Sequence, residues 1–362
     1  MTDAARAMVF AGPGQPLAPQ AFAWPQLAAG EMLVKVTFAT LCGSDLHTYQ
    51  GRRQTPCPTI LGHEILGRVA ALADERVVDL SGVKLAVGDR VTWSIAASCG
   101  ECFYCQRGLP QKCERLFKYG HERIDASHPL SGGLAEYCHL ARGTAVLRVP
   151  DELPDEVACP ANCATATIAA ALRVGGEFRD GAVLIQGAGM LGLTAAAMAH
   201  AGGASEIIVC DPDETRLPWA ERFGATTLVQ LRGGGGELSQ AVQQATDGRG
   251  VDLALELSGS PEAMEAGLRL LRIGGRYVLV GSVFPTRDVA LPAEQVVRRL
   301  LRIEGLHNYA PDDLQAAVAF LAANHKRYPF GELVTDRFAL DEADAAFQHA
   351  LTTKAPRVAV VP

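Results

Sequence analysis

The first third of the chain alternates between apolar and polar residues in short runs. A two-residue period is typical of β-strands with one buried face. It occurs in M-L-V-K-V-T-F near residues 32–38, in I-L-G-R-V-A-A-L near 65–72 and in G-D-R-V-T-W-S near 88–94. Strand character returns in G-G-L-A-E-Y-C-H-L at 132–140. We therefore predict that this part of the chain is built mainly from antiparallel strands.

From about residue 165 the pattern changes to continuous apolar runs separated by amphipathic stretches. Such runs are typical of strands that are buried on both faces, and the stretches between them fit helices. Repeated βαβ units of this kind give a parallel sheet. The predicted strands are V-L-I-Q (183–186), I-I-V-C-D (207–211), D-L-A-L-E-L (252–257), Y-V-L-V-G (277–281) and L-R-I-E-G-L (301–306).

Two further helices are predicted after residue 307. Pro311 suits the first turn of one, and D-E-A-D-A-A-F-Q-H-A-L at 341–351 forms the other. This tail has no sheet of its own, so we expect it to return to the first domain. The chain is also longer than a usual single domain. The predicted domains are residues 1–163, residues 164–307, and residues 308–362 returning to the first.

The composition is that of an ordinary globular protein, with 48% hydrophobic and 20% charged residues. A formal net charge of −7 argues against nucleic acid as a partner. The N-terminal sequence M-T-D-A-A-R-A-M-V-F has no apolar signal core, so no secretory signal is expected. Residues 181–205 contain no Asp, Glu, Lys or Arg, but their glycines divide them into a strand, a turn and a helix. We therefore expect no membrane partner.

Four cysteines form the run C-G-E-C-F-Y-C-Q-R-G-L-P-Q-K-C. Four thiolates on short loops suit a closed tetrahedral zinc site. Disulfides are the competing interpretation, but cysteines two residues apart seldom bridge, and nothing marks the chain as secreted. We predict structural zinc and a reducing, cytoplasmic location. The predicted ligands are Cys99, Cys102, Cys105 and Cys113.

A glycine turn, G-A-G-M-L-G, follows the strand at 183–186 and precedes an alanine-rich stretch. Between a strand and a helix, such glycines allow a tight turn that binds a dinucleotide pyrophosphate at the helix N-terminus. Asp211 ends the next strand, where its carboxylate can accept both adenosine ribose hydroxyls. The same charge repels a 2′-phosphate, which favours NAD over NADP, although Arg216 leaves dual specificity open. Capping of a helix is the other interpretation of Asp211.

A second metal site is indicated by L-C-G-S-D-L-H at 41–47 and G-H-E at 62–64. Catalytic zinc needs about three protein ligands and an open position. Cys42 and His63 are candidate ligands. Two cysteines in C-P-A-N-C, Cys159 and Cys163, compete for the third position.

Together these motifs resemble the zinc-dependent medium-chain dehydrogenase/reductases, the alcohol dehydrogenase superfamily, over nearly the whole chain. The resemblance rests on C-G-S-D-L-H, G-H-E, the four-cysteine run, G-G-L-A-E-Y and the glycine turn followed by Asp211. It implies an α/β protein with a mainly β, GroES-like catalytic domain and an NAD-binding Rossmann domain with a doubly wound parallel sheet. The structural zinc lobe would span about residues 95–116. Family members are commonly homodimers or homotetramers, which we also expect here.

The resemblance also implies roles in catalysis. It selects Cys163 as the third ligand and gives two zinc ions per subunit. Ser44 would accept the proton of the alcohol and pass it, through the nicotinamide ribose, to His47. Asp45 would orient His63, and Glu64 would either ligate zinc or tune its field. Gly43 departs from the family, because many alcohol dehydrogenases have a basic residue there.

The expected cofactor contacts follow the same motifs. Thr167 would touch the nicotinamide, and the glycine turn and the carboxyl ends of the strands would hold the remainder of NAD. The expected set is Thr167, Gly187, Gly189, Met190, Leu191, Gly192, Asp211, Arg216 and Gly281.

Strings such as G-L-P-Q-K-C-E-R-L-F-K-Y-G-H are most similar to dehydrogenases associated with phosphonate catabolism. This similarity, with nearby basic residues, leads to the hypothesis of a small alcohol with an anionic group, such as a hydroxyalkyl phosphonate. Arg and Lys suit phosphonate oxygens, although these side chains are equally well explained as solvated charges. The candidate contacts are Arg52, Arg53, Lys118, His121, Asn308 and Tyr309. His128 and His139 have no ligand partner at a useful spacing, and His139 is expected to be structural.

Three other functions remain open at this point. One is a general alcohol or polyol dehydrogenase, and another is a zinc-free double-bond reductase of the same fold. The third is a non-enzymatic NAD-binding redox sensor. A complete set of zinc ligands and proton-relay residues argues against the last two.

Overall fold

The computed structural model of the protein describes residues 4–74, 77–233 and 236–362, and these fall into two units. One unit contains the described residues up to Ala166 together with Ala310–Pro362, and the other is Thr167–Tyr309. The domain boundaries drawn from the sequence, after residues 163 and 307, stay a prediction. They differ from this division by a few residues.

The first unit is mainly β. Its strands are β1 (Ala4–Phe10), β2 (Ala18–Ala23), β3 (Met32–Thr40), β4 (Thr59–Ile60), β5 (Glu64–Leu72), β6 (Arg90–Ala97), β7 (Phe117–Lys118), β8 (Tyr137–Leu140), β9 (Thr144–Arg148), β16 (Val334–Ala339) and β17 (Arg357–Val361). Its helices are α1 (Gly43–Tyr49), α2 (Asp155–Ala158), α9 (Pro311–Asn324) and α10 (Ala343–Thr353). Helix α3 (Ala164–Gly175) contains the boundary between the units.

An eight-stranded sheet organises this unit, in the order β16-β17-β3-β5-β6-β7, with β8 on β3 and β9 on β6. A smaller sheet has the order β2-β1-β4. The C-terminal strand β17 pairs antiparallel with β3, which brings the tail of the chain beside the residues around Thr40. The interior of the first unit is apolar, with Trp93 and Phe347 fully buried.

The second unit is a parallel sheet with helices between its strands. The elements are β10 (Ala182–Gln186), α4 (Met190–Ala201), β11 (Glu206–Asp211), α5 (Leu217–Arg222), β12 (Thr227–Gln230), α6 (Gly236–Ala245), β13 (Val251–Glu256), α7 (Pro261–Leu270), β14 (Leu271–Leu279), α8 (Ala293–Arg298) and β15 (Arg302–Gly305). The strand order is β12-β11-β10-β13-β14-β15, and every pair is parallel. The order reverses between β10 and β13, where sheets of this kind bind ligands at their carboxyl edge.

The predicted fold class is therefore confirmed. The sequence pattern did not indicate β12, a strand of four residues, or the strands β1, β2, β4, β7, β9, β16 and β17. The C-terminal tail adds two strands, β16 and β17, to the eight-stranded sheet of the first unit. Within the described part of the chain, no single helix is both long and apolar enough to cross a membrane. Two helical segments, Asp155–Asn162 and Ala164–Gly175, would be long and apolar enough if taken together, but the chain bends between them.

Candidate metal centres and dinucleotide site

Three chain segments of the first unit bring Cys42, His63 and Cys163 together. Cys42 is the N-cap of α1, His63 directly precedes β5, and Cys163 lies between a short 3-10 turn and α3. The Sγ atoms of Cys42 and Cys163 are 3.9 Å apart, and the Cys163 Sγ lies 3.5 Å from Nε2 of His63. Ligand atoms around a tetrahedral zinc ion are separated by about 3.8 Å for two sulfurs and about 3.5 Å for sulfur and nitrogen. The three donors therefore fit zinc.

Asp45 fixes the orientation of His63. Its Oδ1 lies 3.1 Å from Nδ1 of His63, and its Oδ2 accepts the backbone N–H of Cys42 at 2.9 Å. Both Asp45 and His63 are buried. A proton on Nδ1 leaves the Nε2 lone pair directed at the metal position, which is how a carboxylate supports an imidazole ligand.

Cys159, the other cysteine of C-P-A-N-C, lies outside this cluster. Its sulfur is fully buried and lies 3.5 Å from the hydroxyl of Thr40 and 3.6 Å from the carbonyl oxygen of Phe38. Cys159 begins a 3-10 turn and Cys163 follows it, and of the two only Cys163 meets Cys42 and His63.

Glu64 also has a carboxylate oxygen within 4.8 Å of these ligand atoms, but its own partners are elsewhere. Both of its oxygens accept hydrogen bonds from Arg357, each at 2.6 Å, and Thr40 donates to one of them at 2.6 Å. The Glu64–Arg357 pair is buried. Arg357 belongs to β17, near the end of the chain, and was not predicted as a site residue. In the sequence, the one indication of a role for Arg357 is its position as a single arginine in the apolar strand R-V-A-V-V.

The Cys42 thiol is chemically prepared for a metal, whereas the hydrogen bond to Cys42, together with burial, raises the pKa of Cys163. A hydrogen bond from Cys163 lowers the pKa of Cys42 well below that of an ordinary thiol, against the opposing effect of burial. Arg357 acts in the same direction, with its Nη2 3.6 Å from the Cys42 sulfur. Because zinc binds thiolate and not thiol, this environment favours the ligating form.

Two proposed relay residues lie on α1. The hydroxyl of Ser44 is 3.5 Å from Nε2 of His63, so it faces the metal position. His47 lies one turn further along the helix and is half-buried. Burial lowers the pKa of His47, and the charge of Arg52 adds to this effect. A neutral imidazole is the form that can accept a proton.

The four-cysteine run closes into a second cluster. The closest sulfur contacts are 3.4 Å between Cys113 and Cys99, 3.9 Å between Cys102 and Cys113, and 4.0 Å between Cys99 and Cys105. These spacings again match the roughly 3.8 Å expected between thiolates on one zinc ion. All four cysteines are free of disulfides. Backbone N–H groups of Cys99 and Arg115 donate to the Cys113 sulfur, at 3.3 Å each.

The glycine turn connects β10 to α4 in the second unit. Gly187 has φ +109°, and a Cβ at Gly192 would lie 1.8 Å from the carbonyl oxygen of Gly187, so both positions require glycine. Gly189 is the N-cap of α4, and the space around its Cα is open. An open glycine at a helix N-terminus leaves room for a phosphate to approach the backbone.

Asp211 ends β11 beside this turn. Its Oδ2 accepts the backbone N–H of Ala188 at 2.8 Å, and its Oδ1 accepts that of Asp213 at 2.8 Å. Each oxygen retains a lone pair, so these bonds are compatible with binding ribose hydroxyls. Nη1 of Arg216 lies 3.9 Å from the Asp211 carboxylate.

The remaining predicted cofactor contacts are also in the second unit. Met190 and Leu191 begin α4, and Thr167 is half-buried in α3. Gly281 follows β14, and a Cβ there would lie 2.4 Å from the backbone nitrogen of Gly259. Gly281 therefore packs two loops at the carboxyl edge of the sheet closely together.

The candidate substrate residues differ in burial and in the unit to which they belong. The ring of His121 lies 5.3 Å from that of His63, and both are buried. Arg53 and Lys118 are half-buried, and both experience the charges of Cys42 and Cys163. Arg52 is exposed and lines a groove with Gln15, Tyr49 and Asp344. Asn308, with φ +58°, and Tyr309 lie in the second unit.

Comparisons with known proteins place this arrangement in a family. Residues 28–151 match the family model of the alcohol dehydrogenase GroES-like domain, and residues 191–323 match that of the zinc-binding dehydrogenases. The chain is 33% identical to 5-exo-hydroxycamphor dehydrogenase of Pseudomonas putida, with 89% of each chain covered. It is 32% identical to sorbitol dehydrogenase of Bacillus subtilis strain 168, covering 91% of this chain and 89% of the relative.

A solved alcohol dehydrogenase from Thermotoga maritima superposes with a TM-score of 0.93 at 33% identity, and 99% of each chain is covered. The chain therefore belongs to the zinc-dependent medium-chain dehydrogenase/reductase superfamily, and it is an alcohol dehydrogenase of that class.

Proposed function

We propose that this alcohol dehydrogenase oxidises a small alcohol to an aldehyde or ketone with NAD, or catalyses the reverse reaction, at zinc held by Cys42, His63 and Cys163. The observation that supports this most strongly is the convergence of these three donors at zinc-ligand spacings, with Asp45 orienting His63. Three ligands leave one coordination position open, as catalytic zinc requires.

When bound, the zinc ion polarises the substrate hydroxyl and lowers its pKa, and the nicotinamide accepts the hydride. The protein supplies the proton path. Ser44 faces the metal position and takes the hydroxyl proton, and His47 delivers it to solvent. Burial raises the pKa of Glu64, and the charge of Arg357 opposes this shift. In this proposal Glu64 tunes the field at the metal without ligating it.

We further propose a structural zinc ion, held by Cys99, Cys102, Cys105 and Cys113. Each subunit would then bind two zinc ions. Four thiolates fill the coordination sphere, so this ion stabilises the lobe and takes no part in the reaction. We also propose that the enzyme is cytoplasmic and forms a homodimer or homotetramer. Gel filtration with light scattering tests the number of subunits.

NAD preference is expected to depend on the charge of Asp211. In Asp211→Asn the ratio of kcat/KM for NAD to that for NADP should fall by about tenfold or more, because a like charge no longer faces the 2′-phosphate. The matched control is Asp213→Asn, which neutralises a carboxylate 3.7 Å from Nε of Arg216. That control should leave the ratio nearly unchanged. A wild-type enzyme that turns over NADP faster than NAD at equal concentration would contradict the assignment.

The substrate is proposed to carry an anionic group, a hydroxyalkyl phosphonate being one example. Support comes from Arg53 and Lys118, two half-buried cations that experience the charges of Cys42 and Cys163. Burial and the charge of Arg53 lower the pKa of Lys118 to about 8. A cation held in so unfavourable an environment becomes more stable when an anion binds beside it.

We expect Arg53→Gln and Lys118→Gln to raise KM for a hydroxyalkyl phosphonate by about 10- to 100-fold, the value of one charge-assisted hydrogen bond. KM for an uncharged alcohol of equal length should change little. Because Lys118 loses its charge above about pH 8, KM for the phosphonate should also rise above that pH in the wild type. Arg68→Gln is the control, since it removes an exposed arginine that pairs with Asp151. Equal wild-type efficiency on both alcohols would leave a general alcohol or polyol dehydrogenase.

A polyol dehydrogenase is the second candidate, favoured by the similarity to sorbitol dehydrogenase. A panel of simple alcohols, polyols and hydroxyalkyl phosphonates, followed through NADH absorbance, separates the candidates. A redox sensor would show no turnover with any of them.

A further inference from the structure

A third cluster of metal-binding side chains lies in the first unit, apart from both cysteine sites. It consists of Glu31, His128 and His139, whose ligand atoms all lie within 4.8 Å of one another. Glu31 directly precedes β3, and His139 is in β8. The antiparallel pairing of these strands places Leu33 opposite His139, and the segment before β8 brings in His128.

The distances at this cluster match those around a small metal ion. Nε2 of His139 lies 3.0 Å from Oε2 of Glu31, and Nε2 of His128 lies 3.5 Å from Oε1. Nitrogen and oxygen ligands of tetrahedral zinc lie about 3.3 Å apart, since each bond is about 2.0–2.2 Å long. Each imidazole therefore presents Nε2 to one oxygen of the same carboxylate at about this spacing, and the three ligand atoms lie within 4.8 Å of one another.

Hydrogen bonds alone leave this cluster incompletely satisfied. His139 can donate to Glu31 through Nε2, but Nε2 of His128 is buried and has no hydrogen-bond partner among the described residues. A buried ring nitrogen without a partner is rare in native proteins. An ion bound by both Nε2 lone pairs and the carboxylate would give Nε2 of His128 the partner that it lacks.

The surrounding structure holds the three ligands in place. The backbone N–H of Ala28 donates to Oε2 of Glu31 at 2.9 Å, which fixes the carboxylate. The rings of His128 and His139 stack with centroids 4.8 Å apart, and Phe117 packs against His128 at 4.8 Å.

We propose that Glu31, His128 and His139 form a third metal site, which binds a divalent transition-metal ion such as Zn²⁺ through two imidazoles and one carboxylate. This donor set suits zinc and its neighbours in the first transition series more than calcium or magnesium. Two of the ligands are buried, and the third lies in the segment between β7 and β8. The ion fastens that segment to the β3–β8 strand pair, so its role is structural. The proposal does not depend on the substrate of the enzyme.

The test is a Zn²⁺ titration of the purified full-length enzyme, followed by removal of loosely bound metal and elemental analysis. Wild type is compared with His128→Ala and with Glu31→Gln, a same-shape change that keeps an acceptor for Ala28. The control is His349→Ala, which removes the imidazole of another His–carboxylate pair in the same unit, 2.9 Å from Asp336.

We expect both site variants to bind one zinc equivalent per chain fewer than wild type and to lose the rise in Tm that added Zn²⁺ produces. Alcohol oxidation at saturating substrate should persist in His128→Ala, which separates this site from the catalytic one. His349→Ala should match wild type in metal content and in Tm. The proposal is overturned if all four proteins bind the same number of zinc ions, in which case the cluster is a hydrogen-bonded network only.

Discussion

Replacing Cys163 by alanine is expected to reduce kcat/KM for alcohol oxidation by at least about 10³-fold, because the loss of one of three ligands releases the catalytic metal. Elemental analysis of the purified variant should show one zinc equivalent fewer than wild type. Binding of NAD, followed by fluorescence titration, should stay near the wild-type value, because the glycine turn is untouched.

Cys159→Ala is the matched control, since it removes a thiol only four residues away. Its sulfur contacts Thr40 and the Phe38 carbonyl, so the variant should keep its zinc and most of its turnover. Because Cys159→Ala removes a buried sulfur atom, it should lower the free energy of unfolding by an amount on the order of 1–2 kcal/mol. Loss of catalytic zinc from Cys159→Ala and its retention by Cys163→Ala would reverse the ligand assignment.

Removing the positive charge of Arg357 is expected to destabilise the first unit by about 3–5 kcal/mol, because it leaves the Glu64 carboxylate buried and unpaired. Arg357→Met keeps most of the side-chain volume while deleting both hydrogen bonds to Glu64. Urea unfolding of the zinc-loaded protein measures the loss. Turnover should fall as well, since an uncompensated negative charge beside Cys42 changes the field at the metal.

Two comparisons make this prediction specific. The double variant Arg357→Met/Glu64→Leu removes both charges and should recover much of the lost stability. Arg337→Met breaks an ion pair with Glu156 in which the arginine side chain is 59% exposed, and it should cost at most about 1 kcal/mol. Equal losses for Arg357→Met and Arg337→Met would show that the buried pair contributes no more than a surface one.

The sequence predicted the features that depend on local pattern. The parallel strands other than β12 have continuous apolar runs, and the glycine turn is a contiguous motif between a strand and a helix, so both could be located without a structure. The four-cysteine cluster is equally local. The choice of Cys163 over Cys159 came from the family resemblance, because the two residues are equivalent by composition and lie four positions apart.

Contacts between distant parts of the chain could not be predicted. Arg357 meets Glu64 only because β17 pairs with β3, and β3 pairs with β5, which begins at Glu64. Glu31 and His139 likewise meet through the pairing of β3 with β8, and the segment before β8 adds His128. Arg52 and Arg53 are identical in type and adjacent in sequence, and only the path of the backbone after α1 makes one exposed and the other half-buried.

The central claim is that zinc held by Cys42, His63 and Cys163 is required for NAD-dependent alcohol oxidation. The most direct measurement is NADH formation with the alcohol panel, made on zinc-loaded enzyme, on enzyme treated with a chelator, and on treated enzyme after Zn²⁺ is restored. We predict that wild type loses and then regains activity, and that Cys163→Ala is inactive in all three states. Activity that persists in the chelated wild type, or in Cys163→Ala, would contradict the account.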